Sequence, residues 1–243
     1  MSKTFDSFLM LAKHMKIKKT VLLLFVAGAF QSFSFAQSGP KQFWLFVTHT
    51  QKINDRFNIL ADVQSRSEQN LNQINTLLLR TALAYNINDQ HSIALGYAYK
   101  GDWPDGEEYE YEHRIYQQYQ YEFKIKRIEV QLRGRFEQRF LQDSGTHLAM
   151  RARGFAAVQF PIYANEDFTT GLFAGLQNEL FLNVLNRQYA NGHLFDQNRP
   201  YVSIGYRFSE KIETSFDYGL MADQGEEQNT FNNVFRISLT TNF

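Results

Sequence analysis

The residues best able to do chemistry in this chain are arginines and carboxylates on the polar side of alternating segments. In the stretch 127–140, RIEVQLRGRFEQRF, Glu129, Gln131, Arg133, Arg135, Glu137 and Arg139 fall on one side of an extended strand. Ile128, Val130, Leu132, Gly134, Phe136 and Phe140 fall on the other, with Gln138 alone breaking the apolar row. Successive side chains of a strand point to opposite faces, so this period is a strand signal. Other alternating segments put Arg80, Arg114, Arg151, Arg153, Glu179, Arg199, Arg207 and Arg236 on their polar rows, with Asp62, Glu110, Glu112, Glu122, Glu213 and Asp217 among the acids. Guanidinium forks match carboxylates bidentately. The rows therefore support two arrangements: an interlocked network of ion pairs, or a basic wall favouring small anionic solutes, as rings of Arg or Lys do in anion pores.

Other chemistry has weaker support. Ser144 and His147 suggest a lipid hydrolase, but no G-x-S-x-G elbow accompanies them. A non-enzyme is expected. His49, His91, His113 and His193 lack metal-ligand spacing. Asp102, Asp105, Glu107, Glu108, Glu110 and Glu112 form an acidic run with the composition of a solvated loop, calcium being its alternative. No metal site and no cofactor is expected. Trp103 suits an interfacial aromatic. The segment 183–198, with Tyr189, His193 and Phe195, either binds outside partners or folds into a mouth, where Asp196 or Asn198 would tether Arg199.

The elements that must position these residues are long strands. A soluble strand has about 5–6 residues and a tilted membrane-spanning one about 9–11. Between Phe43 and Phe243 eleven alternating segments can be counted, several longer than ten residues. A transmembrane barrel gives the apolar face to lipid and the polar face to the interior, and single-chain bacterial barrels normally have an even number of strands. The expectation is an all-β, antiparallel up-and-down barrel of about twelve strands, with ten as the alternative. Aromatic residues, 16% of the chain with 23 Phe and 13 Tyr, suit interfacial girdles.

The start of the chain predicts export. Lys16, Lys18 and Lys19 precede an apolar run from Val21 to Phe30, and Ser34-Phe35-Ala36 is a small-x-small site. These are the parts of a cleaved signal peptide, with Met15 the expected start. The domain division is then 1–36 for extension and signal, and 37–243 for the barrel. The leader holds five Lys and one Asp, so the remainder has four more acids than bases and no attraction for nucleic acid. Cysteine is absent. The chain ends on an alternating segment closed by Phe243, which resembles the C-terminal signal that outer-membrane barrels present to their assembly machinery. That machinery and outer-membrane lipid are the expected partners, in the outer membrane of a Gram-negative bacterium. With Phe243 periplasmic, the short turns near 88–90, 124–127, 161–166 and 209–211 are periplasmic. The connections 101–108, 142–146, 183–198 and 223–229 are then extracellular.

Phe43-Trp44, RGRFEQRF at 133–140, NELFLN at 178–183, FDQNRPYVSIGYRF at 195–208 and the stretch from Tyr218 to Met221 resemble the family called domain of unknown function 2490. The resemblance implies an outer-membrane barrel and brings no activity. The functional expectation is a structural barrel or a narrow channel for small anionic solutes, lined by Arg114, Glu129, Arg133, Arg135, Glu137, Arg139, Arg151, Arg153, Glu179, Arg199 and Arg207. A surface-loop adhesion protein and a membrane-embedded hydrolase are the alternatives.

Overall fold

The computed structural model describes residues 40–67, 73–104, 108–142, 145–225 and 228–243. The expected signal peptide, Ser144, Asp105 and Glu107 lie outside them. The strands are β1 (Lys41–Lys52), β2 (Phe57–Ser67), β3 (Ile74–Asn86), β4 (His91–Asp102), β5 (Glu110–Ile125), β6 (Ile128–Gln142), β7 (Thr146–Ala164), β8 (Gly171–Leu185), β9 (Phe195–Ser209), β10 (Ile212–Gln224) and β11 (Asn229–Asn242). Each pairs with its sequence neighbours, and β1 pairs with β11 to close the barrel. Closure leaves no edge strand and satisfies the backbone between neighbours.

Eleven strands are present among the described residues, in place of the twelve or ten expected. An odd count requires one parallel seam, and β1 and β11 supply it, running in parallel from Lys41 opposite Asn233 to Thr50 opposite Asn242. All other pairings are antiparallel. The segment 183–198 holds no further strand: β8 extends into it to Leu185, β9 begins at Phe195, and a single 3-10 turn, Arg187–Tyr189, lies between.

Alternation sets the two faces as the sequence indicates. Leu95, Leu83, Ile115, Ile204 and Phe216 are exposed on the outer wall, while Ala98, Leu78, Tyr116 and Glu137 are buried inside. Gln138, the exception in the β6 row, exchanges two 3.1 Å amide hydrogen bonds with Gln117 of β5. The polar interruption of the outer wall is therefore paired with itself. Aromatic rings gather at both ends of this wall. Tyr97, Tyr99, Tyr109, Tyr111 and His113 cluster at one end of β4 and β5, and His91, Tyr119, Tyr121 and Phe123 at the other.

The connections differ between the two ends. At the end where the chain finishes, three turns are stapled by asparagine. Asn54 accepts from the Arg56 and Phe57 NH groups, Asn88 from those of Gln90 and His91, and Asn165 from those of Thr169 and Thr170, all at 2.9–3.0 Å. Asn favours such turns because its side chain mimics a backbone acceptor. The sequence 186–194 at the opposite end is longer.

Inward glycines make room for large rings on the neighbouring strand, as at Gly96 and Gly219. A Cβ on Gly96 would come within 2.3 Å of the Tyr116 ring, and one on Gly219 within 2.2 Å of the Tyr201 ring. Each glycine stands directly opposite its ring's residue in the neighbouring strand.

Candidate functional site

Inward alternation from eleven strands encloses a cavity of about 1050 Å³. Its walls extend from Thr76, Lys100 and Asp223 near one rim to Asn86, Ser92 and Glu213 near the other. Arg114, Arg133, Arg135, Arg139, Arg151 and Arg153 line it, as do Glu129, Glu179, Arg199 and Arg207. Glu137 lies behind this lining and is almost completely buried.

The buried position of Glu137 follows from its partners. One carboxylate oxygen accepts from Arg151 at 2.7 and 2.9 Å, and the other from Arg153 at 2.6 Å. Arg153 also reaches Glu179 at 2.6 Å, and Glu179 accepts from Arg133 at 2.9 Å. Arg151 continues to Asp196 at 2.8 Å. A chain of charge-assisted bonds thus crosses β6, β7, β8 and β9. Removing one partner from such a buried set typically costs about 3–5 kcal/mol, because it leaves an uncompensated charge.

Four smaller units extend the pairing. Glu112 accepts bidentately from both Arg114 and Arg139, at 2.6–3.1 Å. Arg80 grips Asp62 at 2.8 Å, and Arg236 meets Asp217 at 2.8 Å. Near the short-turn rim Arg207 joins Glu129 at 2.8 Å and Glu213 at 3.0 Å. Its Nη1 also donates to the Phe168 carbonyl at 2.7 Å, with the guanidinium carbon 4.1 Å from that ring's centroid. Phe168 is a turn residue buried with φ 54, a backbone region uncommon for a bulky side chain.

Three arginines are held differently. Arg66 donates to Gln64 at 2.7 Å, Arg135 to Gln118 at 2.6 and 3.1 Å, and Arg199 to Gln197. Their backing groups are neutral amides, and each keeps one buried NH group unpaired, Nε of Arg66 and Arg199 and Nη1 of Arg135, as the ion-paired Arg133 also does at Nε. Arg135 has Glu137 at 3.9 Å, whereas Arg66 and Arg199 have no described carboxylate within ion-pair distance. Aromatic faces support all three: Arg135 lies 4.3 Å from the Tyr116 centroid, Arg199 4.5 Å from Phe181, and Arg66 4.3 Å from Trp44. A guanidinium within about 6 Å of a ring is attracted by its quadrupole.

Trp44, Arg66, Gln64, Gln118, Gln197, Tyr116, Phe181 and Tyr201 are absent from the sequence-derived site. Period-2 alternation does put them on the inward rows, so position was available as a signal. The aromatic members look like core, and their role beneath arginines depends on which strands become neighbours.

Other candidates disperse. His147 stacks on Tyr189 at 4.3 Å, on the same row as inward Arg151. His49 shares a hydrogen bond with Thr241, His91 with Tyr119 and His113 with Tyr97, on different parts of the barrel. Among the described residues no three His, Cys, Asp or Glu side chains group as metal ligands. Within the acidic run Glu112 is occupied by two arginines, Asp102 bonds Thr76 and Lys100, and Glu110 is exposed. Trp103 is exposed and packs on Tyr109.

The 186–194 connection is fastened to the barrel mouth. Asn191 accepts from Asn183 at 2.8 Å and donates to the carbonyls of Phe195 and Gln224 at 3.1 and 2.8 Å. The expected tether of Arg199 by Asp196 or Asn198 is replaced. Asp196, skipped by the register shift at Phe181/Leu182, takes Arg151, and Gln197, two residues from Arg199 on the same row, takes that arginine.

At the seam, Phe243 accepts from the Lys52 NH through its carbonyl at 2.5 Å and donates its own NH to Thr50 at 2.9 Å. Its ring lies 5.3 Å from the Lys211 ammonium.

Comparison with solved structures finds a similar fold in the NanC porin, solved in a rhombohedral crystal form. The TM-score is 0.56 at 14% identity, over 85% of this chain and 96% of that one. Among curated proteins, an uncharacterized protein of Methylorubrum extorquens is 26% identical over 207 residues, covering 85% of this chain and 88% of its own length. The family model described as protein of unknown function (DUF2490) matches residues 41–232, and the chain belongs to that family.

Proposed function

We propose that this protein is an outer-membrane channel of a Gram-negative bacterium that passes small anionic solutes. The observation that carries this reading is the arginine-lined cavity of about 1050 Å³ whose walls reach both rims of the barrel. The apolar outer wall and its two aromatic clusters suit a bilayer, since lipid-facing residues alternate with interior ones and rings favour the interfaces. The ion-paired arginines give the wall rigidity, while Arg66, Arg135 and Arg199, backed by neutral amides, leave positive charge on the cavity wall for a passing anion. The porin-like fold is consistent with this role and does not identify a solute. Among the described residues no catalytic constellation supports an enzyme reading.

In this reading Phe243 and the asparagine-stapled turns face the periplasm, and Phe243 serves the barrel-assembly machinery. The 186–194 connection faces outside. Its fastening by Asn191 favours a mouth element over an adhesive loop.

The test is reconstitution of the protein in planar bilayers under a potassium chloride gradient. Stepwise conductance with a reversal potential on the chloride side is expected. Correctly folded protein that never conducts would overturn the channel, and a cation-side potential would overturn its selectivity.

A further inference from the structure

Most interior arginines satisfy a carboxylate of this chain, whereas Arg66 and Arg199 lean on glutamines. The contrast is sharp because the strand geometry is the same. Glu112-x-Arg114 forms a bidentate ion pair two residues apart, while Gln64-x-Arg66 and Gln197-x-Arg199 place a neutral amide at the equivalent spacing. The guanidinium carbons of Arg66 and Arg199 lie 4.3 and 5.2 Å from the centroid of the buried Trp44 ring. They are therefore no further apart than those two distances combined. Two like charges against one ring repel, and each retains a buried, unpaired Nε–H. Asp223 acts on Arg199 only from beyond ion-pair distance. Buried donors without partners cost free energy. An external anion would satisfy both.

The surroundings describe the rest of such a solute. The Tyr201 hydroxyl and Asn232 Oδ1 are also buried without partners, and both residues line the cavity with Arg66 and Arg199. Tyr201 is tilted against Trp44 at 6.5 Å, so its ring belongs to the same wall. A hydroxyl donor and an amide acceptor suit a polar body attached to the anionic group. We propose that Arg66 and Arg199, braced on Trp44, form a binding site for the carboxylate of a hydroxylated organic acid, with Tyr201 and Asn232 contacting its carboxylate and hydroxyl groups. This deepens the channel reading, which supplies the route by which the solute reaches the site. The site's chemistry is independent of that route.

The test is calorimetric titration of the detergent-solubilised barrel with gluconate, with glucose as the uncharged control. Gluconate is expected to bind and glucose to bind at least about tenfold more weakly, the loss corresponding to charge-assisted bonds. R66Q/R199Q should weaken gluconate by about tenfold or more, and K52Q, on an exposed turn-side pair, should leave it unchanged. If the double variant loses the folded, heat-modifiable form, Arg66→Lys and Arg199→Lys retain the charges without the fork. Each should weaken binding by about threefold. Equal binding of glucose, or gluconate affinity unaltered in the folded variants, would overturn the site. Conductance separates the two proposals. A barrel that binds gluconate through these arginines but never conducts refutes the channel alone. An anion-selective conductor indifferent to R66Q/R199Q refutes the site alone.

Discussion

Arg207 caps the ring of Phe168 at 4.1 Å and bonds the same residue's carbonyl at 2.7 Å, so one side chain secures both the ring and the backbone of a turn. Phe168 needs that hold because its φ of 54 is unfavourable for a large side chain. Phe168→Ala should destabilise the barrel by about 3 kcal/mol, from lost burial, less the modest relief of strain. A lowered urea midpoint for the loss of folded migration on gels would check this; an unchanged midpoint would show the turn to be energetically idle.

The Gln117–Gln138 amide pair makes a prediction in which two changes harm less than one. Gln138→Leu leaves the Gln117 amide facing the apolar outer surroundings alone, whereas Q117L/Q138L removes both polar groups. A double-mutant cycle in lipid should give a coupling of about 0.6–1.7 kcal/mol, the range for side-chain hydrogen bonds within membranes. Strict additivity would mean that each amide finds another partner.

Replacing Glu137 by Gln should cost about 3–5 kcal/mol, because Arg151 and Arg153 lose a shared carboxylate. The same change adds uncompensated positive charge beside the cavity. Where E137Q still folds, its reversal potential in a salt gradient should therefore move further toward the anion side. A shift toward cations would contradict the assigned field.

Gly219→Ala puts a methyl 2.2 Å from the present position of the Tyr201 ring. Overpacking of this kind costs about 1–3 kcal/mol. Chemical denaturation should register that loss, and Y201A/G219A should recover part of it if the ring is what collides.

Much of the fold was legible because a strand's period reports its two faces directly. The rows of β6 and β9 were readable residue by residue, including the inward positions of Arg133, Arg135, Arg199 and Arg207. Strand number was not, since the antiparallel rule implies an even count while β1 and β11 pair in parallel. The ion-pair partners were also hidden. Arg133 reaches Glu179 and Arg207 reaches Glu129 across long sequence separations, and alternation says which face a residue takes without saying what stands opposite. Local offsets misled for the same reason at Asp196, which serves Arg151 on another strand.

The parallel seam has a consequence for the order of assembly. His49 and Thr241, joined across it at 2.9 Å, stand 192 residues apart in the chain. Every other pairing links strands that follow one another and can form as a growing ribbon of hairpins. Loop-closure entropy delays contacts between such distant segments. The ribbon must therefore carry β1 as an open edge until β11 has been made and docked. Unpaired edges invite association with other chains. Arrival of the last strand is thus a ring-closing event that removes both hazards together, making β11 the step at which an incomplete barrel is most exposed to going astray.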